Sequence, residues 1–391
     1  MNNKQDRFKT YRNYLRKLMT RCQELRRGAG VRAVLWKWCR RLFLALVVLS
    51  LLLSLFLIFT PQGRAGFHTV LFVTQVLEVP VQPQSWFTKE PVRREVTYLQ
   101  AVATGVADIY RIPDDKERAA VLIFLGVNAA GRDDEDVVNL GNALARAGFV
   151  AMFHWSPTMA LRFNIDPSEV ENLVWAFQYL SGSESVDRDR VGIGGFCVGA
   201  SFALMAAADA RIRYDVSFIN AFGPYYDAQD LLLQVASRSR LYQGQRDQWE
   251  PDSLTLRVLA NELIESLTDP REREVMHRLY VERQDIPQSE LEGLSGPALR
   301  VRRLLDGTTP QEAQVIYGEL PAVFLENMRR ISPSTYVGDL RARVMILHDR
   351  YDRLVPAAES RRLADALELR GDFQYTELLA FEHVRPTSGG G

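Results

Sequence analysis

The chain has 391 residues, 47% of them hydrophobic, and its 48 basic and 48 acidic side chains leave a net charge of zero. That apolar content is ample for a core, arranged as one large domain or two smaller ones. Three cysteines, Cys22, Cys39 and Cys197, exclude a disulfide-stapled scaffold, so the stability of the C-terminal region has to come from its core.

The zero net charge hides an asymmetry. Residues 1–41 hold thirteen Lys and Arg against Asp6 and Glu24, a net of +11, which leaves −11 over the rest. This basic tail is read as cytoplasmic and as attracted to anionic lipid. It is not read as a nucleic-acid arm, because neither zinc-ligand spacing nor an aromatic RNA-binding signature accompanies it. Leu42 to Phe59 follows without a charge. As a helix it would be about 27 Å long, close to the thickness of a bilayer's hydrocarbon core. The reading is an uncleaved transmembrane helix over 42–59, with Trp36 and Trp38 at the interface. The basic flank places the N-terminus in the cytoplasm and the remainder outside it. Residues 60–95, punctuated by Pro61, Gly63, Pro80, Pro83 and Pro91, read as a linker and approach segment.

From residue 96 strands and helices alternate. Ala107–Ile112 and Ala120–Leu125 read as strands. A helix runs from Asp133/Asp134 to Arg146 and stops at Gly148; Phe149–Phe153 is the next strand. Residues 167–182 form a helix with Val170, Leu173, Val174, Phe177 and Leu180 on one face. Val191–Ile193 and Val216–Ala221 are further strands, and continuous apolar strands between amphipathic helices indicate a mostly parallel sheet covered on both faces. The alternation breaks over 226–332, which has helical spacing and no convincing strand. It is expected to be a helical cap, with Thr309-Pro310-Gln311-Glu312 as a capping box. Strands resume at Val344–Leu347 and Phe373–Leu379, around a helix over 357–369.

The chemistry concentrates where Val191–Ile193 runs into Gly195-Phe196-Cys197-Val198-Gly199 and a small-residue helix. This is the layout of a nucleophile elbow, whose glycines leave room where a Cβ would collide with neighbouring backbone. Cys197 stands at the nucleophile position, and a thiolate there suits covalent acyl chemistry. Such chemistry needs a base and an acid to orient it. Of the histidines after the elbow, His277 falls in the cap and His348 closes a strand. His383, beyond the last strand, is the expected base. Asp352, in the Asp-x-x-Val-Pro turn, is the expected acid, with Asp349 as the alternative. The backbone N–H groups of Val198 and Val127 are the candidate oxyanion hole. The order nucleophile, acid, histidine is that of an α/β-hydrolase.

With these residues in place, the chain over 96–388 resembles the α/β-hydrolase superfamily, and within it the dienelactone hydrolase family with its Gly-x-Cys-x-Gly-Gly elbow and Cys-Asp-His triad. The resemblance implies an α/β fold with Cys197 as nucleophile, Asp352 as acid and His383 as base. It implies hydrolysis of a small-molecule ester, lactone or thioester, and neither a metal nor an organic cofactor. Ala200 replaces the last elbow glycine, and Asp349 stands where such turns commonly carry glycine. The cap and the membrane segment are additions. Polyhydroxyalkanoate synthases are similar around Gly-Phe-Cys-Val-Gly, which keeps acyl transfer open as an alternative. A binding module that retained the fold and lost turnover is another.

Overall fold

The computed structural model describes residues 16–17, 19–20, 36, 38–76, 83–100, 104–128, 130–379, 381–382 and 385–386. The chain divides into two compact units, Met1–Val70 and Leu71–Gly391.

In the first unit, α1 spans Trp38–Phe59, four residues longer at its start than expected. Its mean hydropathy of 3.1 and complete lack of burial make it the one helix among the described residues long and apolar enough to cross a membrane. The break at Thr60 has a local cause. Its hydroxyl donates to the Phe56 carbonyl and accepts the Gly63 N–H, so Thr60 ends one helix and caps the next. Pro61 takes the first position of α2 (Pro61–Val76), where its missing N–H costs nothing.

The second unit takes in the end of α2 and a short helical turn, α3 (Gln84–Phe87), and is built on one sheet. Its strands are β1 (Val92–Leu99), β2 (Thr104–Arg111), β3 (Arg118–Phe124), β4 (Val150–Trp155), β5 (Val186–Phe196), β6 (Phe218–Phe222), β9 (Arg343–Asp349) and β10 (Phe373–Leu378). They lie in the order β1-β2-β4-β3-β5-β6-β9-β10. β2 runs antiparallel to both β1 and β4, and the other pairings are parallel. Helices cover both faces, and the molecule has the α/β-hydrolase fold. β1 begins inside the stretch read as linker. Arg93-Arg94-Glu95 hides it from a hydrophobic pattern, and an edge strand with only Val96 and Tyr98 buried can carry such charges.

Side-chain alternation sorts the strands into two cores. Val121, Ile123, Ala151 and Phe153 face α4 (Glu135–Arg146), whose start Asp134 caps by accepting the Asp136 N–H at 3.1 Å. Leu122, Phe124 and Met152 face the other way, onto α5 (Glu169–Ser181) and α6 (Val198–Ala207). All ten residues of α6 are buried, so it has no polar face.

Between β6 and β9 lies the insertion expected to be a cap: α7 (Ala228–Ala236), α8 (Ser253–Glu265), α9 (Pro270–Tyr280), α10 (Gln288–Glu292), α11 (Gly296–Asp306), α12 (Pro310–Gly318) and α13 (Ala322–Arg330). The expectation that it contains no strand is corrected: β7 (Ser239–Tyr242) and β8 (Gln245–Gln248) form a hairpin. Its polar residues give no apolar alternation. The turn is made by Gln243 and Gly244, with φ of +48° and +77°. Thr309 caps α12 through its hydroxyl, but Glu312 turns to Arg303 and Thr308, so the reciprocal half of the capping box is replaced by outward contacts.

One cap helix is stitched to the loop after β4. That loop holds a single π-helical turn, Thr158–Arg162, and ends at Phe163 with φ of +59°, an uncommon conformation for a bulky residue. Asn261 donates to the carbonyls of Arg162 and Phe163 at 3.0 and 3.2 Å, and Glu262 accepts the Ile165 N–H at 2.7 Å. Asn164 donates to Glu265, and the Arg257 guanidinium lies 4.1 Å from the centre of the Phe163 ring. Beside this seam is a cavity of about 570 Å³, lined among others by Arg162, Arg257, Asn261, His277 and Glu282.

Candidate active site

Cys197 sits between β5 and α6 with φ of +53° and ψ of −127°, a strained backbone for a residue with a Cβ. What holds it there is close backbone packing. A Cβ on Gly199 would lie 2.1 Å from the Phe124 carbonyl oxygen and 2.7 Å from the Gly126 nitrogen. One on Gly195 would lie 2.5 Å from both Gly199 and Phe124 backbone atoms. The elbow is therefore pressed against the end of β3. The Cys197 N–H donates to the Phe222 carbonyl at 2.8 Å, which ties the strained residue to β6 as well. Cys197 as a whole is partly exposed.

The same packing sets Gly126, the residue before Val127, against Val198 and Gly199. Val198 is the first residue of α6, where a helix offers an N–H without an intrahelical acceptor. Gly126, with φ of +66°, abuts Val198 and Gly199 so closely that a Cβ on it would lie 2.5 Å from the Gly199 nitrogen. Val127 follows it directly. The loop carrying Val127 is pinned further on by Arg132, whose Nε and Nη2 reach the two carboxylate oxygens of Asp108 on β2 at 2.9 and 2.6 Å. Arg93 also donates to Asp108, at 2.8 Å. Burial opposes ionisation of Asp108, but the two guanidinium groups outweigh it and hold the carboxyl below its ordinary value.

Asp349 and Asp352 are both buried at the end of β9. One oxygen of Asp352 accepts the N–H groups of Leu354 and Val355 at 2.6 and 3.0 Å, and its own carbonyl accepts from the Trp249 indole of the cap at 2.9 Å. Asp349 accepts the Tyr351 N–H at 2.6 Å. His348 is completely buried. Its Nδ1 is 2.6 Å from the Ser360 hydroxyl, and its Nε2 is 2.9 Å from the Val355 carbonyl and 3.5 Å from an Asp352 carboxylate oxygen. His277 lies on α9 of the cap, 3.3 Å from Glu282. His383 lies outside the described residues, between β11 (Phe381–Glu382) and β12 (Arg385–Pro386), which pair antiparallel.

Two polar networks next to the elbow escaped the sequence reading. Ser201, one turn into α6, donates to the Tyr225 carbonyl and accepts the Tyr225 N–H, both at 2.9 Å; the Tyr225 phenol donates to the Ile331 carbonyl at 2.6 Å. The two ends of the insertion are thus fastened to α6. Burial, with Cys197 nearby, pushes the Tyr225 phenol well above its ordinary value. The second network is a buried chain at the end of β4. The Tyr98 hydroxyl is 2.6 Å from His154 Nδ1, and His154 Nε2 is 2.6 Å from Glu169. The His154 ring centre is 5.2 Å from that of Phe124, the last residue of β3. Burial works against the Glu169 charge, yet the bond from His154 holds the carboxyl below its ordinary value. His154 closes an apolar strand, and nothing local in the sequence couples it to a carboxylate one helix away.

Comparison with known proteins adds a limited likeness. No protein-family model matches the chain. A Bradyrhizobium protein described as "Probable 2-oxo-3-(5-oxofuran-2-ylidene)propanoate lactonase" is 35% identical over 89 residues, covering 19% of this chain and 36% of that protein. The chain thus spans about a third of the curated relative it matches. Among solved structures, the esterase of Pyrobaculum calidifontis is 16% identical, with a TM-score of 0.42 over 82% of this chain and 84% of its own. The acylaminoacyl peptidase of Pyrococcus horikoshii is 14% identical, with a TM-score of 0.45 over 76% of this chain and 38% of its own.

Proposed function

We propose that the chain is a membrane-anchored hydrolase of carboxylic ester, lactone or thioester bonds, working through a covalent acyl-cysteine. The observation that carries this reading is the strained Cys197 backbone, held against β3 by glycines that admit no Cβ. A fold spends that strain to lift one side chain clear of the chain at the sheet's edge. The short match to the Bradyrhizobium lactonase supports an ester-type substrate.

In this mechanism His383 takes the thiol proton and the Cys197 sulfur attacks the carbonyl carbon. The carbon–oxygen double bond opens to an oxyanion that the Val198 and Val127 N–H groups receive. Collapse expels the alkoxide or thiolate, which takes the proton from His383, and leaves an acyl-cysteine. Water, deprotonated by His383, then attacks the same carbon. The thiolate leaves and is reprotonated, and a carboxylic acid is released. Asp352 orients the imidazole and stabilises its charged form. The α1 helix holds the enzyme in the bilayer, with the basic tail on the cytoplasmic side and the catalytic domain on the other.

Replacing Cys197 by Ala is expected to abolish both turnover of a lactone and ester panel and labelling by an acyl-phosphonate probe, with the unfolding midpoint unchanged. Turnover that survives the replacement would remove the mechanism.

A further inference from the structure

The approach segment carries apolar surface that the catalytic reading leaves unused. Trp86 and Phe87, adjacent on α3, are 69% and 74% exposed, with ring centres 6.4 Å apart. Their outward placement is built in. Gln84 of the same turn is buried, and the Thr88 hydroxyl donates to the Gln84 carbonyl at 2.8 Å. Arg146 of α4 donates to the Thr88 hydroxyl at 2.9 Å. A second strap lies on the same helix: Asn139 donates to the Gln75 carbonyl at 3.1 Å, and the Gln75 amide donates back to Asn139 at 3.2 Å. Asn139 and Arg146 are seven residues apart, so they share one face of α4, about 10 Å from each other along its axis. The end of α2, with Val73 exposed, and the aromatic turn are therefore fastened side by side on that helix. Lys89, next to the aromatic pair, is exposed too.

Held-out aromatic rings beside a cation match the headgroup region of a bilayer, where tryptophan sits with its ring in the apolar edge and lysine reaches for phosphate. We propose that Val73, Trp86 and Phe87 seat the catalytic domain on a lipid surface as a second membrane contact, distinct from the α1 helix. The inference rests on the membrane reading of α1, because the same chain leaves that apolar helix only at Phe59 and sixteen of the residues before the turn are folded into α2. A lipid surface is thus already within tether reach, whereas a protein partner would have to be recruited.

The test uses the full chain, with Cys22, Cys39 and Cys197 replaced by Ser, reconstituted in liposomes of zwitterionic and anionic phospholipid. Single nitroxide labels are placed through Leu49→Cys, Val73→Cys, Phe87→Cys and Tyr214→Cys, Tyr214 being an exposed residue well away from this surface in sequence. Collision with oxygen, which partitions into lipid, is compared with collision with a water-soluble nickel chelate. The expected oxygen-to-nickel ratio at 73 and 87 is several-fold above that at 214, with the highest value at 49. Lipid character at 49 with aqueous values at 73 and 87 would overturn the docking, keep the anchor, and leave this face to a protein partner. An aqueous value at 49 would overturn the anchor and the docking with it. Trp86→Ser/Phe87→Ser should lower the ratio at 73 severalfold; an unchanged ratio also counts against the proposal.

Discussion

The elbow and the cap seam are both places where one part of the chain is held against another, and they are held by opposite means. At the elbow the grip is backbone on backbone. Three glycines, 126, 195 and 199, come within distances that leave no space for a methyl group. At the seam the grip is made by side chains: Arg257, Asn261, Glu262 and Glu265 of α8 bind the carbonyls, an N–H and a ring of residues 162–165. Packing of the first kind is insensitive to pH and intolerant of any added atom. Polar contacts of the second kind can be loosened one at a time.

The sharpest way to break the comparison is Gly199→Ala. Its methyl group would meet the Phe124 carbonyl oxygen at 2.1 Å. Because the obstacle is backbone, the loss should exceed the roughly 1–3 kcal/mol of ordinary overpacking. Urea unfolding measures it, and turnover should vanish with it. Retention of wild-type stability would show that the elbow is not close-packed. Next comes Arg132→Met, which removes two of the bonds to Asp108 while leaving Arg93. A loss of about 1.5–3 kcal/mol is expected, as for hydrogen bonds to a charged group. If Val127 serves as an oxyanion donor, kcat should fall more than KM rises.

At the seam, Asn261→Ala gives up two bonds to carbonyls and should cost about 1–2 kcal/mol. Proteolysis between residues 158 and 166 should accelerate in step. The smallest and most specific effect belongs to Glu262. Burial pushes its carboxyl up to about 7, Glu265 and Asp166 add to the rise, and the Ile165 N–H opposes it. A carboxyl raised from the ordinary 4.5 binds its proton better in the packed seam than out of it. Its stabilising contribution is therefore full below about 4.5 and fades as pH rises through about 7. Amide exchange at Ile165, corrected for the intrinsic rate, should quicken above neutral pH, and Glu262→Gln should remove that step. Glu169 has the opposite sign, since His154 holds its carboxyl below the ordinary value; its contribution is present above the ordinary range and lost as pH falls.

The elbow was legible because its signal is local. Glycine at fixed offsets from Cys197, an apolar strand before it and small residues after it are all consequences of one tight turn. The parallel strands were legible for a similar reason, since burial on both faces demands continuous apolar runs. β1 and the β7–β8 hairpin were missed because an edge strand and a surface ribbon bury too little to leave a pattern. The seam was invisible as well: Asn261 and Glu262 find their partners nearly a hundred residues away, and neither residue type announces a partner.

Sequence alone determined the α/β architecture, the elbow with Cys197 at its apex and the apolar helix ahead of the domain, because each is written in the spacing of neighbouring residues. Tertiary structure decided which polar groups meet: Arg132 with Asp108, His154 with Tyr98 and Glu169, Ser201 with Tyr225, and α8 with the loop after β4. The reason is physical. A buried polar group must find a partner, but the requirement is met by whichever chain segment the sheet order brings near, and sheet order is a property of the whole chain.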